Sequence, residues 1–238
     1  MSADWLALDT ATEVGSVAVG SAERAVVARL VGARQHAAQI LTVIDDVLRR
    51  AELAREQLAG IIVGDGPGSF TGLRIAWATA KGLAHERDLP LIAIPSLMGA
   101  AAASGETGGP VAACFDALRG QVYGAMYAFP ADRVETVVAP GLFTVPALAC
   151  ATAARPLIAV GDGAQRYTED IEKWTGRPAV GLEQLAPIAV ALLTLASREG
   201  AARTLEDPST AEPVYGRPAE AQVKWEARYG RPLPHSSR

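Results

Sequence analysis

The sequence predicts an α/β protein built from two lobes, each containing a mixed β-sheet flanked by helices. Two observations predict this fold. The element order β-β-β-α-β-α can be traced twice along the 238 residues, and a stretch rich in small residues at 101–110 separates the two copies. Half of the residues are hydrophobic, which is enough to bury one large core or two cores of about 100 residues each.

The first copy begins with three short strands, at 5–9, 16–20 and 25–31, because runs rich in Val, Leu and Ala alternate there with turn-like residues. A helix follows, since apolar residues at 37, 40, 41, 44, 47, 48 and 51 form one stripe of helical period. A buried strand at 61–64, a helix at 70–84 and a strand at 91–94 complete this half, and Pro95 ends the last strand.

The second copy repeats this order. Strands are predicted at 111–116, 121–129 and 133–139, a helix at 145–153, a strand at 157–160 and a helix at 165–174. Residues 185–198 are apolar on nearly every side and predict a buried helix, with Pro187 tolerated in its first turn.

Three antiparallel strands followed by alternating helices and strands imply a mixed sheet covered by helices. Two such RNase H-like lobes with a cleft between them are the architecture of the actin/Hsp70/sugar-kinase ATPases. We therefore place the first lobe at 1–103 and the second at 104–216. For the tail, 217–238, two alternatives are open: a strap that packs back on the first lobe, or a docking helix.

Charge and cysteine content limit the functions this chain can have. Its net charge is -4 with a pI of about 5.5, whereas a protein that holds nucleic acid by itself usually carries a basic face. Cys114 and Cys150 lie too far apart to form a metal or redox motif. No signal peptide is evident and no apolar run reaches the roughly 18 residues of a membrane span, so we expect a cytoplasmic protein.

Residues 64–74, Gly-Asp-Gly-Pro-Gly-Ser-Phe-Thr-Gly-Leu-Arg, join a buried strand to a helix start, where free N–H groups favour an anion. Gly66, Gly68 and Ser69 are therefore candidates for a phosphate loop. The segment nevertheless lacks the Lys of a Walker loop and the glycines of a dinucleotide motif or nucleophile elbow. A tight strand-to-helix turn capped by Ser69 or Thr71 is the favoured alternative.

Two further turns are candidates for phosphate contacts. Asp9 and Thr10 end the first strand, where this fold superfamily places its first phosphate loop, and Gly161, Asp162 and Gly163 follow a strand of the second half. Turn chemistry explains glycine and aspartate equally well. Polar turn residues in a degenerate cleft are therefore the preferred interpretation of both.

Several segments together make the chain resemble the TsaB family, also called YeaZ. They are Leu-Ala-Leu-Asp-Thr-Ala-Thr at 6–12, the loop at 64–74, Ala-Lys-Gly-Leu-Ala at 80–84 and Ile-Pro-Ser-Leu at 94–97. Beyond residue 97 the resemblance thins to 115–123 and 212–217. The family's usual Asp-Ala-Arg is broken here by Leu118.

The resemblance implies a non-catalytic dimerisation subunit of the complex that forms N6-threonylcarbamoyladenosine (t6A37) in tRNA. Its partners would be a TsaD-like catalytic subunit, a TsaE-like ATPase and, through the complex, tRNA. A homodimer of the isolated chain is also open. No cofactor of its own is expected, while ATP or ADP can be envisaged at the interface of the complex.

The residues argue separately against catalysis by this chain. TsaD-like proteins carry a His-x-x-x-His metal pair just after the strand corresponding to 91–94. In register, those positions are Ser96 and Ala100, neither of which replaces imidazole as a transition-metal ligand. None of His36, His85 and His235 lies within five residues of another. We therefore expect no metal site and no catalytic residue.

The helix at 70–84 carries two lines of apolar or small residues, whereas a helix on a sheet needs one. The second line predicts a helix-on-helix contact, and two helices from each of two related subunits would form a four-helix interface. Packing within the lobe is the alternative. The predicted partner surface comprises Ala37, Ile40, Leu41, Ile44, Arg74, Ile75, Ala78, Thr79 and Gly82.

Two other functions stay open at this point. A stand-alone ATP-dependent kinase or carbamoyl transferase of the same fold would need a complete phosphate cleft with a metal-binding acid. A peptidase would need a nucleophile with a base or a metal, and no base is evident near Ser69 in the sequence.

Overall fold

The structure, a computed structural model, describes residues 3–203, 205, 207–217, 225 and 228–230, with the backbone alone at 33–36. The first half contains β1 (Trp5–Asp9), β2 (Val14–Gly20), β3 (Ala25–Val31), α1 (Ala33–Arg50), β4 (Gly60–Gly64), α2 (Phe70–Arg87), β5 (Leu91–Ile94) and α3 (Ser96–Ala102). The second half contains β6 (Val111–Asp116), β7 (Val122–Ala128), β8 (Glu135–Phe143), α4 (Val145–Cys150), β9 (Ile158–Val160), α5 (Asp162–Arg166), α6 (Thr168–Thr175) and α7 (Ile188–Leu195).

The two sheets share one topology. The first has the order β3-β2-β1-β4-β5 and the second β8-β7-β6-β9. In each sheet the first three strands in sequence pair antiparallel and the fourth pairs parallel with the first. The predicted fold, two lobes with mixed sheets and flanking helices, is confirmed.

Helices α1 and α2 cover one face of the first sheet. On α1, Ile40, Ile44, Val47 and Leu48 are buried while Asp45 is exposed, as the periodic stripe predicts. These side chains pack in one core with the outer-face residues of β1, β2 and β4. The parallel strand β4 is buried along its whole length, as expected for a strand covered on both faces.

Helices α3 and α7 cover the opposite face and join the lobes. Helix α7 contacts β1, β2 and α3, and α3 in turn contacts β6 and β7. The core on this side is continuous, from Ile62 and Ile94 of the first sheet to Val111 and Phe115 of the second. Burying side chains of this size contributes roughly 1.5–3 kcal/mol each, so separating the lobes would expose a large part of the core.

Three details differ from the sequence predictions. Helix α3 was not predicted, because residues 96–102 are almost all buried and show no amphipathic pattern. The helix at 165–174 is instead two helices, α5 and α6, which meet at Tyr167. The helix at 185–198 is shorter, since α7 starts after Pro187 and ends at Leu195.

The chain also returns to the first lobe earlier than the predicted boundary at 216. Helix α7 already packs on the first sheet, and Arg203 forms an antiparallel bridge with Ala93 of β5. Further along the chain, Lys81 of α2 donates to the Ser209 carbonyl, and the Val214 N–H donates to the Asp65 carbonyl. We call 203–217 the return segment, in which 204 and 206 are not described. Of the predicted tail, 217–238, most residues lie outside the described part of the chain.

No helix among the described residues is both long enough and apolar enough to span a membrane.

Candidate functional site

A buried carboxylate lies at the carboxyl end of β1. The side chain of Asp9 is fully buried and accepts hydrogen bonds from Ser96 Oγ at 2.6 Å and from the Ala11 backbone N–H at 3.2 Å. Burial raises the pKa of Asp9 to about 6, against the lowering effect of these two hydrogen bonds. Asp9 is thus an acid whose titration falls close to neutral pH.

Ser96 connects this carboxylate to the loop at 64–69. Its Oγ accepts from the Gly66 N–H at 3.1 Å, and its own N–H donates to the Gly66 carbonyl at 2.9 Å. A Cβ on Gly64 would lie 1.9 Å from Asp9 Oδ2, so only glycine lets β4 pass the carboxylate. The end of β1, the loop and the start of α3 therefore form one hydrogen-bonded unit.

Two positions correspond in register to the metal-binding histidines of TsaD-like proteins, and both lie in the interior of the chain. Ser96 and Ala100 are fully buried, and the hydroxyl of Ser96 is engaged by Asp9 and Gly66. A buried hydroxyl and a methyl do not supply the nitrogen ligands that a transition metal prefers. The residues present do not fit such a metal.

The glycines of the 64–74 loop face the turn after β1. A Cβ on Gly68 would lie 2.3 Å from the Ala11 carbonyl oxygen, and one on Gly72 would lie 1.9 Å from that of Thr10. The Ser69 N–H donates to the Ala11 carbonyl at 2.7 Å, and Ser69 Oγ accepts from the Gly72 N–H as the cap of α2.

The structure therefore brings together five predicted loop residues, Asp9, Thr10, Gly66, Gly68 and Ser69. Contacts within the chain account for the close backbone approach at Gly68 and for the cap at Ser69, which favours the turn interpretation. A phosphate site at this loop stays a prediction.

The second predicted turn, 161–163, is closed in a similar way. Asp162 Oδ1 accepts from the N–H groups of Asp116, at 3.2 Å, and Gly163, at 2.9 Å, and burial raises the pKa of Asp162. Gly161 has a φ of 112°, and a Cβ there would lie 2.2 Å from the Cys114 carbonyl oxygen. These contacts attach the turn to β6, so turn geometry explains its residues.

Helix α7 and the segment before it make polar contacts with the first sheet. Ser16 Oγ of β2 accepts from the Ala189 N–H of α7 at 3.0 Å, and Arg29 of β3 donates to the Leu182 carbonyl at 3.2 Å. The cavity that Arg29, Leu182 and Ile188 help to line measures about 10 Å³, on the order of one water molecule. Ligand pockets usually measure about 300–1,000 Å³, so this cavity has no room for a nucleotide.

An exposed face runs over the two contacting helices α1 and α2. Leu41 of α1 is 58% exposed, and Thr79 of α2 is half-buried. We define the α1–α2 face by the members of the predicted surface that are exposed or half-buried and do not pack against the core: Ala37, Leu41, Arg74, Ala78, Thr79 and Gly82.

Two members of the predicted partner surface lie in the core of the chain itself. Ile40 and Ile44 are only 3% and 1% exposed and pack in the core under α1. The helical stripe that suggested them points to the sheet, so they have almost no area to offer a partner. Ile75 is partly buried against the same core.

An aromatic cluster that was not predicted from the sequence lies beside this face. The Arg74 guanidinium lies 4.1 Å from the centre of the Phe70 ring, and the Phe70 and Tyr215 rings are 4.8 Å apart. The spacing i, i+4 between Phe70 and Arg74 was the signal available in the sequence, whereas Tyr215 is 141 positions from Arg74.

Leu118, which breaks the Asp-Ala-Arg usual in the TsaB family, lies in the turn between β6 and β7. It is 59% exposed and has a φ of 60°.

Comparisons with known proteins place the chain in a family. Residues 26–161 match the family model described as TsaD: tRNA N6-adenosine threonylcarbamoyltransferase. The Escherichia coli tRNA threonylcarbamoyladenosine biosynthesis protein TsaB is 31% identical over 220 residues, which cover 89% of this chain and 94% of that protein. The chain belongs to the TsaB (YeaZ) family.

Other members of the TsaB family agree with this assignment. The Bacillus subtilis protein of the same name is 36% identical over 105 residues, 44% of this chain and about half, 46%, of that relative. Among solved structures, a Pseudomonas aeruginosa protein described as similar to peptidase YEAZ has a TM-score of 0.75 with 33% identity. It is matched over 91% of this chain and 100% of that one.

Proposed function

We propose that this chain is a non-catalytic partner subunit of the assembly that forms N6-threonylcarbamoyladenosine (t6A37) in tRNA, and that it pairs with a TsaD-like catalytic subunit. The observation that carries the proposal is the packing at Ser96 and Ala100. The chain has the fold of an ATP-using enzyme, but a buried hydroxyl and a buried methyl occupy the positions of the metal-binding pair.

The surroundings of Ala100 strengthen this argument. The neighbouring Gly99 faces Ile188 and Leu192 of α7, which a Cβ at 99 would approach to 2.7 Å and 3.0 Å. A core packed this closely has no room for an imidazole beside it without overpacking. Metal chemistry at this place would require a different arrangement of α3 and α7.

The α1–α2 face supports the pairing part of the proposal. Ala78 and Gly82 are exposed and lie one turn apart on α2. A Cβ added at Gly82 would meet nothing within 4 Å, so a helix of another subunit could approach closely there. With α1 and α2 supplied by each of two related subunits, the product would be a four-helix interface. A homodimer of the isolated chain would use the same face.

The other partners would bind the assembled complex and not this chain by itself. A TsaE-like ATPase and tRNA would join through the assembly, because the net charge of -4 is unfavourable for holding tRNA unaided. ATP or ADP would bind at the interface between subunits. The assembly would operate in the cytoplasm.

The two alternative functions receive less support. A kinase or carbamoyl transferase acting alone would need the lobes to part against their shared core. A peptidase would need an activated nucleophile. Ser69 Oγ instead caps α2 by accepting from the Gly72 N–H, and among the described residues no hydrogen bond joins it to a base.

Reconstitution tests the proposal. The chain would be mixed with the TsaD-like and TsaE-like proteins of the same organism, tRNA and threonylcarbamoyl-adenylate, and transfer to tRNA would be measured with each protein omitted in turn. We expect transfer only when this chain and the TsaD-like protein are both present, and no transfer or ATP hydrolysis by this chain alone. Turnover by the pure chain would contradict the proposal.

A further inference from the structure

Arg74 is held in a fixed position near the start of α2. Its guanidinium lies over the Phe70 ring, 4.1 Å from the centroid, and its Nε–H donates to the Tyr215 hydroxyl at 3.2 Å. Arg74 is exposed, and within the described part of the chain it has no carboxylate partner. Its two Nη groups therefore remain available to a ligand. We call Phe70, Arg74 and Tyr215 the Arg74 cluster.

The return segment holds the cluster in place. Asp65 forms two hydrogen bonds with the Arg203 guanidinium, at 2.6 Å and 2.9 Å, and its carbonyl accepts from the Val214 N–H at 2.8 Å. These contacts bring Tyr215 against Phe70, with the ring planes tilted by 36°. Because the guanidinium is already ordered, binding through it loses less side-chain entropy than binding through a free arginine.

Exposed apolar side chains belong to the cluster and adjoin it. Phe70 is 39% exposed and the adjoining Val214 is 45% exposed. Ala78 and Gly82 continue the row from Arg74 along α2 at intervals of four residues. Aromatic and arginine side chains next to apolar surface are characteristic of the residues that dominate binding between proteins.

We propose that the Arg74 cluster binds a carboxylate of the partner subunit, and that the return segment contributes Tyr215 and Val214 to the same interface. The inference rests on the proposed pairing with a TsaD-like subunit. A guanidinium can bind a carboxylate through two parallel hydrogen bonds. A nucleic-acid phosphate could bind in the same manner, but a polyanion needs several cations along its path, and the next two positions on this row are Ala78 and Gly82.

Affinity measurements on three variants test the inference. Arg74→Gln removes the charge, Tyr215→Phe keeps the ring but removes the hydroxyl that fixes Nε, and Arg177→Gln removes an exposed arginine from the second lobe as a control. Binding to the TsaD-like protein would be measured by calorimetry at two salt concentrations. We expect Arg74→Gln to weaken pairing about 10- to 100-fold and to reduce its salt dependence, Tyr215→Phe to weaken it less, and Arg177→Gln to leave it unchanged.

The outcomes separate this inference from the proposed function. If the wild-type chain pairs and the folded Arg74→Gln variant pairs equally well, the inference is overturned while the proposed function stands. If the wild-type chain does not pair, the proposed function fails and the inference with it. If Arg74→Gln keeps full pairing but the assembled complex loses tRNA in a gel-shift assay, the cation contacts a phosphate and the carboxylate proposal is overturned. Recovery of pairing between Arg74→Glu and a partner carrying one acid-to-lysine change would support it directly.

Discussion

At the scale of single residues, the structure shows which hydrogen bonds the polar residues at strand ends form. Asp9 and Ser69 are candidates for a phosphate site, and each also makes a contact within the chain: Asp9 joins β1 to Ser96, and Ser69 caps α2. The position of Asp9 at the end of β1 was predictable from the sequence. The Asp9–Ser96 contact spans 87 positions, so no local pattern could reveal it.

The buried carboxylate of Asp9 gives a prediction about stability and pH. Folding raises the pKa of Asp9 from 3.8 to about 6, so between these pH values the folded chain binds more protons than the unfolded chain. The free energy of unfolding should therefore fall as pH rises through this window, by about 3 kcal/mol in total, using 1.4 kcal/mol per unit. Asp9→Asn stays neutral and should lack this decrease.

Urea unfolding at pH 4, 5, 6 and 7 measures the effect as a difference between wild type and Asp9→Asn. Burial also raises the pKa of Asp65 and of Asp162, but both groups are present in the two proteins and cancel in the comparison. Parallel pH profiles for the two proteins would show that Asp9 is not the source.

At the scale of elements, the spacing of apolar residues predicted the helices that bury one face and expose the other. Helices α1 and α2 were predicted because their apolar residues recur at helical spacing. Helix α3 was not predicted. Six of its seven residues are buried, and its own side chains are small or apolar on every side, so its sequence shows no helical period. The burial of Ile40 and Ile44 under α1 has a related reason: helical spacing defines an apolar stripe but does not say whether a sheet or a partner subunit covers it.

The α1–α2 face is tested by the size and charge of residue 82. Gly82→Glu should leave the chain folded, because space around Gly82 is open, but should abolish pairing by placing a charged side chain where helices would meet. Gly82→Ala is the matched control: it should keep pairing and raise helix stability by up to about 1 kcal/mol. Light scattering and pull-down with the TsaD-like protein measure both variants, and intact pairing of Gly82→Glu would exclude this face.

At the scale of the whole molecule, the repeated element order was sufficient to predict two mixed sheets flanked by helices. It was not sufficient to place α7, which belongs to the second half in sequence but packs on the first sheet. A helix that is apolar on every side can be buried in either lobe, and only tertiary packing decides between them. The result is one core that contains residues of both sheets together with α3 and α7.

The central claim is that this chain acts through its α1–α2 face and not through the cleft. The most direct measurement compares tRNA threonylcarbamoylation in the reconstituted system containing either Gly82→Glu or Asp9→Asn in place of the wild-type chain. We predict that Gly82→Glu abolishes the reaction and that Asp9→Asn supports it at close to the wild-type rate. The reverse result, loss of activity with Asp9→Asn and full activity with Gly82→Glu, would contradict the account.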